Sequence, residues 1–272
     1  MFILTYIGVI VNPTIIPSKV SPMTEPTGVE DYDPRAYPPF AVTVDIVVFT
    51  LLDDRLQMVL IQRGGPPFEK VWALPGGFVH VDEDLETAAR RELLEETGVE
   101  AVPAHLEQLG AYGTPDRDPR MRVVTVAWWA IMPDLPPPEA GTGAVHADLV
   151  GVDEVLEGRV ELAFDHHQIV VHAVEALREE LENTTLAASF WADSFRISDL
   201  RRVYEIVWGS QLEPGNFQRK VRKIPGWLES TGERSASVEG GRPAELFRTF
   251  EDRILRLEAP LRRERVIDER DE

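Results

Sequence analysis

Apolar and polar positions along this chain follow two periods. A β-branched apolar run from Ala41 to Leu52 predicts a buried strand, and Asp53-Asp54 turns it into a second over Leu56 to Arg63. Gly64 to Lys70 reads as a loop and Val71 to Leu74 as a short strand. Ala104 to Tyr112 and Arg122 to Met132 predict two more, the latter with Trp128 and Trp129, before a proline- and glycine-rich excursion over Pro133 to Gly143. Elsewhere the period lengthens to that of a helix. Asp153 can cap a short one ending at Gly158, and Asp165 a long one to about Glu182, with Ile169, Val170, Ala173, Val174 and Leu177 on one face. No internal repeat is visible.

Between the third and fourth strands lies the stretch richest in chemistry. Pro75-Gly76-Gly77 makes a turn, Asp82 or Asp84 can cap a helix, and Gly98 can end it in the left-handed conformation. Leu85, Ala88 and Ala89 form an apolar stripe at helical spacing, and the same stripe continues into Glu92, Glu95 and Glu96. A solvated acidic face would lie opposite the apolar side. Carboxylates in line with it repel one another, and a hard divalent cation with oxygen ligands is the economical compensation.

Past Ser198, a possible cap, Leu200, Val203, Tyr204 and Val207 predict a helix ended by Gly209. Ser210 to Glu213 leads to Pro214, suited to the first turn of a second helix bearing Phe217, Val221 and Ile224. Between these apolar positions stand Gln218, Arg219, Lys220, Arg222 and Lys223. Two helices joined tightly, the second with a cationic outer face, suit a helix-turn-helix. Trp227 to Glu229 and Glu245 to Phe250 read as strands flanking the Gly232–Gly241 loop, a wing with Arg242 near its tip. Arg201 and Arg202 on the first helix join the candidates for DNA phosphates, while Gln218 can read a base. A basic bundle docked on an acidic partner domain is the alternative.

Composition sharpens this division. The net charge is −19, all of it in residues 1–184, with 12 basic and 31 acidic side chains; residues 185–272 hold 16 of each. Two domains with different partners are expected. Boundaries fall at an extension over 1–35, a first domain over 36–184, a second over 185–255 and a charged tail over 256–272. Met1 to Val11 is apolar but lacks a basic n-region and a clear cleavage site, and Asn12 to Pro39 has the composition of a disordered segment; Met23 is a plausible alternative start. No apolar run reaches the roughly 18 to 20 residues of a membrane span. With no cysteine, thiolate metal sites and disulfides are excluded, and a reducing, cytoplasmic location is expected.

In the first domain, Thr114 to Arg122 carries Arg117, Arg120 and Arg122 in a turn-rich loop, where they can clamp a pyrophosphate or salt-bridge to acidic neighbours. Arg63 lies near them on a strand end. Trp72 can stack on a base or sit in the core. In Phe164-Asp165-His166-His167, the histidines can act as acid or base, or simply cap the helix.

Gly77, Glu83, Arg91-Glu92-Leu93, Glu95-Glu96 and Gly98-Val99 resemble the Nudix box at every defined position. The resemblance implies a Nudix α/β/α sandwich with Mg²⁺ or Mn²⁺ held by Glu92, Glu95 and Glu96, Arg91 orienting a carboxylate and Glu83 supporting the site. With WALPGGFV at 72–79, RDPR at 117–120, LAFDH at 162–166, LRRVYE at 200–205, NFQRKV at 216–221 and GRPAELFR at 241–248, the chain further resembles the Nudix-related transcriptional regulators of NAD metabolism, the NrtR family. That resemblance implies a winged helix-turn-helix second domain and a dimeric repressor of NAD synthesis or salvage genes, released from operator DNA by ADP-ribose. Because the box is intact, an Mg-dependent ADP-ribose pyrophosphatase with an accessory second domain is the other reading.

Overall fold

The structure, a computed structural model, describes residues 33, 38–99, 104–141, 143–235, 243–250 and 253–262. The extension expected over 1–35 therefore lies, apart from Asp33, outside the described residues, as does Arg242.

A seven-stranded mixed sheet is built around β1 (Ala41–Leu52). Its other strands are β2 (Arg55–Arg63), β3 (Trp72–Ala73), β4 (Gly76–Phe78), β5 (His105–Tyr112), β6 (Val123–Ile131) and β7 (Ala144–Gly151). The order is β3-β2-β1-β6-β5, with β4 added to β1 and β7 to β2. β1 and β6 run parallel from Ala41↔Val123 to Phe49↔Ile131; the remaining pairs are antiparallel. Ala144 to Gly151 has no counterpart among the sequence-derived elements. Val145, Ala147 and Leu149 alternate with His146 and Asp148, the two-residue period of a half-buried strand, and the element pairs with β2.

The two-residue period of the strands decides which helix each face receives. Val44, Ile46 and Val48 of β1, with Val126, Trp128 and Ala130 of β6, meet Ala88, Ala89 and Leu93 of α1 (Leu85–Thr97). Val47 and Phe49, with Trp129 and Ile131, face the other way onto Ile169, Val170, Ala173, Val174 and Leu177 of α3 (His166–Asn183), beside the short α2 (Val152–Leu156). The result is the α/β/α sandwich. Asp84 caps α1 by accepting from the Thr87 amide, and Gly98, at φ 66°, returns its N–H to the Leu94 carbonyl.

After a 3-10 turn over Leu186–Phe190 come α4 (Ile197–Trp208), α5 (Pro214–Val221) and a hairpin of β8 (Leu228–Arg234) and β9 (Glu245–Thr249). Phe195 bridges to Phe247, giving the hairpin a third short partner. This is a winged helix. Its first helix is capped two residues before the expected Ser198: Arg196 is the cap, and its amide donates to Asp199 at 2.9 Å. The second stops at Val221 and a turn carries Ile224, so this helix is eight residues long.

The charge boundary near residue 184 is not a gap in packing. One apolar cluster holds Trp129 and Ile169 together with Leu186, Phe190, Leu200, Tyr204, Phe217 and Trp227. The tail expected from residue 256 likewise begins against the fold. The Leu257 and Leu261 amides donate to the Asn183 and Glu182 carbonyls, the Leu255 carbonyl accepts from the Thr185 amide, and Leu261 is buried.

Candidate functional site

The β4 strand and the last two turns of α1 meet at their glycines and carboxylates. A Cβ on Gly76 would collide with the Val44 carbonyl, so that position demands glycine, while one on Gly77 would displace the Glu92 carboxylate that packs against it. Glu96 accepts from the Gly76 amide at 2.9 Å. Burial, then repulsion from Glu92 and Asp45, pushes the Glu96 carboxyl up to about 8. Glu92 is also raised by burial, against the pull of Arg91.

Arg91 is the organiser of the box. It donates to Glu83 at 2.9 and 2.5 Å, to Glu92 at 2.7 Å, to Glu95 at 3.2 Å and to the Phe78 carbonyl at 3.0 Å. Those bonds to Glu83, with one from the His80 amide, hold its carboxyl down to about 2. Glu95 is half-exposed, while Glu92 and Glu96 lie against the glycine strand. The structure thus brings two of the three box carboxylates together and leaves the third at the rim. Among the described residues no three His, Asp or Glu side chains converge as a metal cluster. At 3.6 residues per turn Glu96 lies about 40° to one side of Glu92 and Glu95 about 60° to the other, and Glu95 is bonded to Arg91 at the rim. Two crowded carboxylates, one of them buried against like charges, are hard oxygen donors suited to a divalent cation.

Beside Glu96 opens a cavity of about 220 Å³. Arg63, Arg117 and Arg120 line it, facing Asp45, Thr43, Phe78, Asp118, Phe164 and His166. Trp72 and Arg122 do not. Trp72 lies against His146 with ring centroids 5.7 Å apart, and its carbonyl receives the Ala163 amide. Arg122 reaches the Val123 carbonyl and the Phe40 ring. The three arginines in the cavity differ. Arg117 is buried and committed to Asp165, with Asp45 at 3.4 Å. Arg120 is held by Asp118 at 2.7 Å. Arg63 donates to the Pro67 carbonyl at 2.8 Å and has no carboxylate within ion-pair distance among the described residues. Thr43 Oγ1 is buried there with no hydrogen-bond partner among them.

His166 is a fixed part of the wall. Its Nδ1 accepts from the Leu74 amide at 3.0 Å, so the neutral ring carries its proton on Nε2, 3.4 Å from Asp45. Complete burial lowers its pKa, which keeps it neutral. Asp165 stands at the cap position of α3 but makes no side-chain cap bond; Arg117 takes its carboxylate instead. Asp45, Asp118, Thr43 and Phe78 join the site without having been among the sequence-derived candidates. Only Asp45 carries a local signal, as an acid inside an apolar strand.

On the winged helix, Phe217 and Val221 are buried, and Gln218, Arg219, Lys220, Arg222 and Lys223 are exposed. Glu213 caps α5 by accepting from the Gly215 and Asn216 amides. Arg222 is partly engaged, 2.9 Å from Glu245 and over the Phe247 ring. Arg201 turns inward, to Glu205 at 2.9 Å and the Leu212 carbonyl at 3.0 Å. Arg202 reaches Asp54 in the β1–β2 turn at 3.3 Å. Arg201 lines one surface pocket with Pro214, Phe217, Gln218 and Arg222, so it lies beside α5, whereas Arg202 points toward the first domain.

Residues 41–186 match the NUDIX domain family and residues 189–249 the NrtR DNA-binding winged helix domain. The ADPR responsive transcriptional repressor NtrR of Acinetobacter baylyi is 34% identical over 232 residues, 85% of this chain and 90% of its own. The Shewanella oneidensis NrtR structure complexed with a 27mer DNA superposes with a TM-score of 0.68 at 30% identity, covering 81% of this chain and 99% of that one. Its NUDIX domain complexed with ADP ribose superposes at 0.50, with 37% identity over 57% of this chain and 99% of that one. Membership of the Nudix family implies divalent-metal use in general. With a Nudix sandwich, a winged helix of this type and relatives matched along nearly their whole length, the chain belongs to the NrtR family of Nudix-related transcriptional regulators.

Proposed function

We propose that this chain is a repressor of NAD biosynthesis or salvage genes that binds operator DNA through α5 and releases it when ADP-ribose enters the Nudix cavity. One observation carries the reading. The cavity is closed on one side by the first turn of α3, and the far end of α3 packs against α4 within a shared core. Its 18 residues span about 27 Å at about 1.5 Å each, enough to join ligand and DNA elements by one rod.

In the cavity, Arg63 and Arg120 meet the diphosphate, while Arg117 holds the wall. Glu92 and Glu96 are the side chains to hold Mg²⁺ or Mn²⁺, which when bound would neutralise diphosphate charge. On DNA, Arg219, Lys220 and Lys223 contact phosphates and Gln218 faces a base edge. The operator is read by a homodimer presenting two copies of α5. No helix among the described residues is long and apolar enough to cross a membrane, and a DNA-bound regulator of this kind works in the cytoplasm.

Fluorescence anisotropy with DNA from upstream of NAD genes tests this directly. Nanomolar, salt-sensitive binding that weakens on adding ADP-ribose is expected. Unchanged operator affinity at saturating ADP-ribose, accompanied by rapid AMP formation with Mg²⁺, would replace the repressor by a pyrophosphatase.

A further inference from the structure

Phe164 has a backbone that its side chain does not favour. Its φ is +55°, in the left-handed region where a bulky residue is uncommon. The chain on either side enforces that conformation. The buried Ala163 donates its amide to the Trp72 carbonyl at 2.8 Å, and the buried His166 accepts the Leu74 amide at 3.0 Å. Between these two anchors the His166 amide donates to the Ala163 carbonyl at 3.2 Å, closing a turn that holds Phe164 in this conformation. Such over-determined strain concentrates where a side chain must be presented to a ligand.

The strain delivers an aromatic ring to the cavity wall. Phe68, itself at φ +60°, braces that ring edge-on at 4.9 Å and 67°. Arg63 lies over it, with Cζ 4.8 Å from the centroid. The flat guanidinium occupies the position that another flat, polarisable group would take. It is also the lining cation that lacks a carboxylate partner among the described residues, so an arriving diphosphate is a stronger attraction than a ring face. Phe78, the other phenylalanine in the lining, sits on an ordinary strand at the mouth, is 41% exposed, and has Arg120 at 5.6 Å.

We infer that Phe164 is the specificity-determining residue for the base of the bound nucleotide: its ring stacks on the purine, and Arg63 moves from that ring face to the diphosphate. This rests on the ADP-ribose reading above and adds to it the residue that distinguishes a purine nucleotide from a bare sugar phosphate. Trp72, the aromatic residue that the sequence offered for this role, instead supplies the backbone carbonyl that anchors Ala163.

Calorimetric titration of the full chain with ADP-ribose tests the assignment. Phe164→Leu should weaken binding about 5- to 150-fold, corresponding to about 1–3 kcal/mol for loss of a base–aromatic stack, and Phe164→Trp should keep it. Operator affinity without ligand and the melting temperature should stay near wild type in both variants. Nuclear Overhauser contacts should connect the adenine H2 or H8 protons with the Phe164 ring. Unchanged affinity in Phe164→Leu, equal losses in Leu and Trp variants, a larger loss in Phe78→Leu, or adenine contacts to Phe78 would each overturn the assignment. A wild-type chain that binds no ADP-ribose would instead overturn the ligand reading itself.

Discussion

Arg117 and Asp165 are joined by two parallel hydrogen bonds, Nε to Oδ2 at 2.9 Å and Nη2 to Oδ1 at 2.6 Å. The pair ties the loop after β5 to the residue that begins α3, and Asp45 of β1 stands 3.4 Å from the same guanidinium. A paired carboxylate fork makes Arg117 a poor free clamp for phosphate and a strong wall for the cavity.

Arg117→Ala should therefore destabilise the protein. Removing one member of a buried ion pair costs about 3–5 kcal/mol, because the carboxylates it leaves behind are uncompensated. Chemical denaturation measures this. Arg117→Lys keeps the charge without the fork and should recover only part of the loss. A wild-type midpoint for Arg117→Ala would show that the pair is dispensable.

Glu96 dominates the pH response, and Glu92, also raised by burial, adds to it in the same direction. The ordinary value of Glu96 is 4.5 and its folded value is about 8. Between the two the native state keeps a proton that the unfolded chain has lost, so stability declines as pH rises from about 5 to 8. Melting curves in EDTA should show this decline, and Glu96→Gln should reduce it to the smaller contribution of Glu92. Mg²⁺ should oppose the decline and release a proton on binding, since a ligating carboxylate must ionise. The same slope in Glu96→Gln and wild type would assign the effect elsewhere.

For DNA, Arg219→Ala with Lys220→Ala should weaken operator binding and lower the salt slope by about 0.9 for each phosphate no longer neutralised. Arg222→Ala should cost less, because Glu245 and Phe247 already engage that side chain. Arg201→Ala should act on stability rather than on the salt slope, as its bonds go to Glu205 and Leu212. Equal salt slopes in the double variant and wild type would remove α5 from the phosphate interface.

Ligand and DNA should oppose each other reciprocally. Coupling of about 1–3 kcal/mol means about 5- to 150-fold, identical whichever is titrated first. Arg178 of α3 donates to the Val207 carbonyl of α4 at 2.9 Å, and Arg202 of α4 reaches Asp54 at 3.3 Å. Arg178→Ala and Arg202→Ala should reduce this coupling while each ligand alone binds normally. Full coupling in both variants would place transmission in the apolar packing alone.

Much of this protein is determined locally. The β-branched apolar run of Ala41–Leu52, the stripe through Ala88 and Ala89, and the turn chemistry of Gly98, Gly209 and Pro214 each specify an element through short-range backbone preference and burial. The box spacing likewise places Glu92 and Glu96 one turn apart, whatever surrounds them. Tertiary structure decided what each charge meets. Arg117, Arg120 and Arg122 share one loop, yet burial against Asp165 fixes the first, Asp118 holds the second, and the third turns to Phe40. β7 takes its place beside β2, and Phe164 takes its place in the cavity wall between Ala163, anchored to Trp72, and His166, anchored to Leu74. Hydrogen bonds and ion pairs between residues far apart in the chain leave no period in the sequence, so only the folded arrangement reveals them.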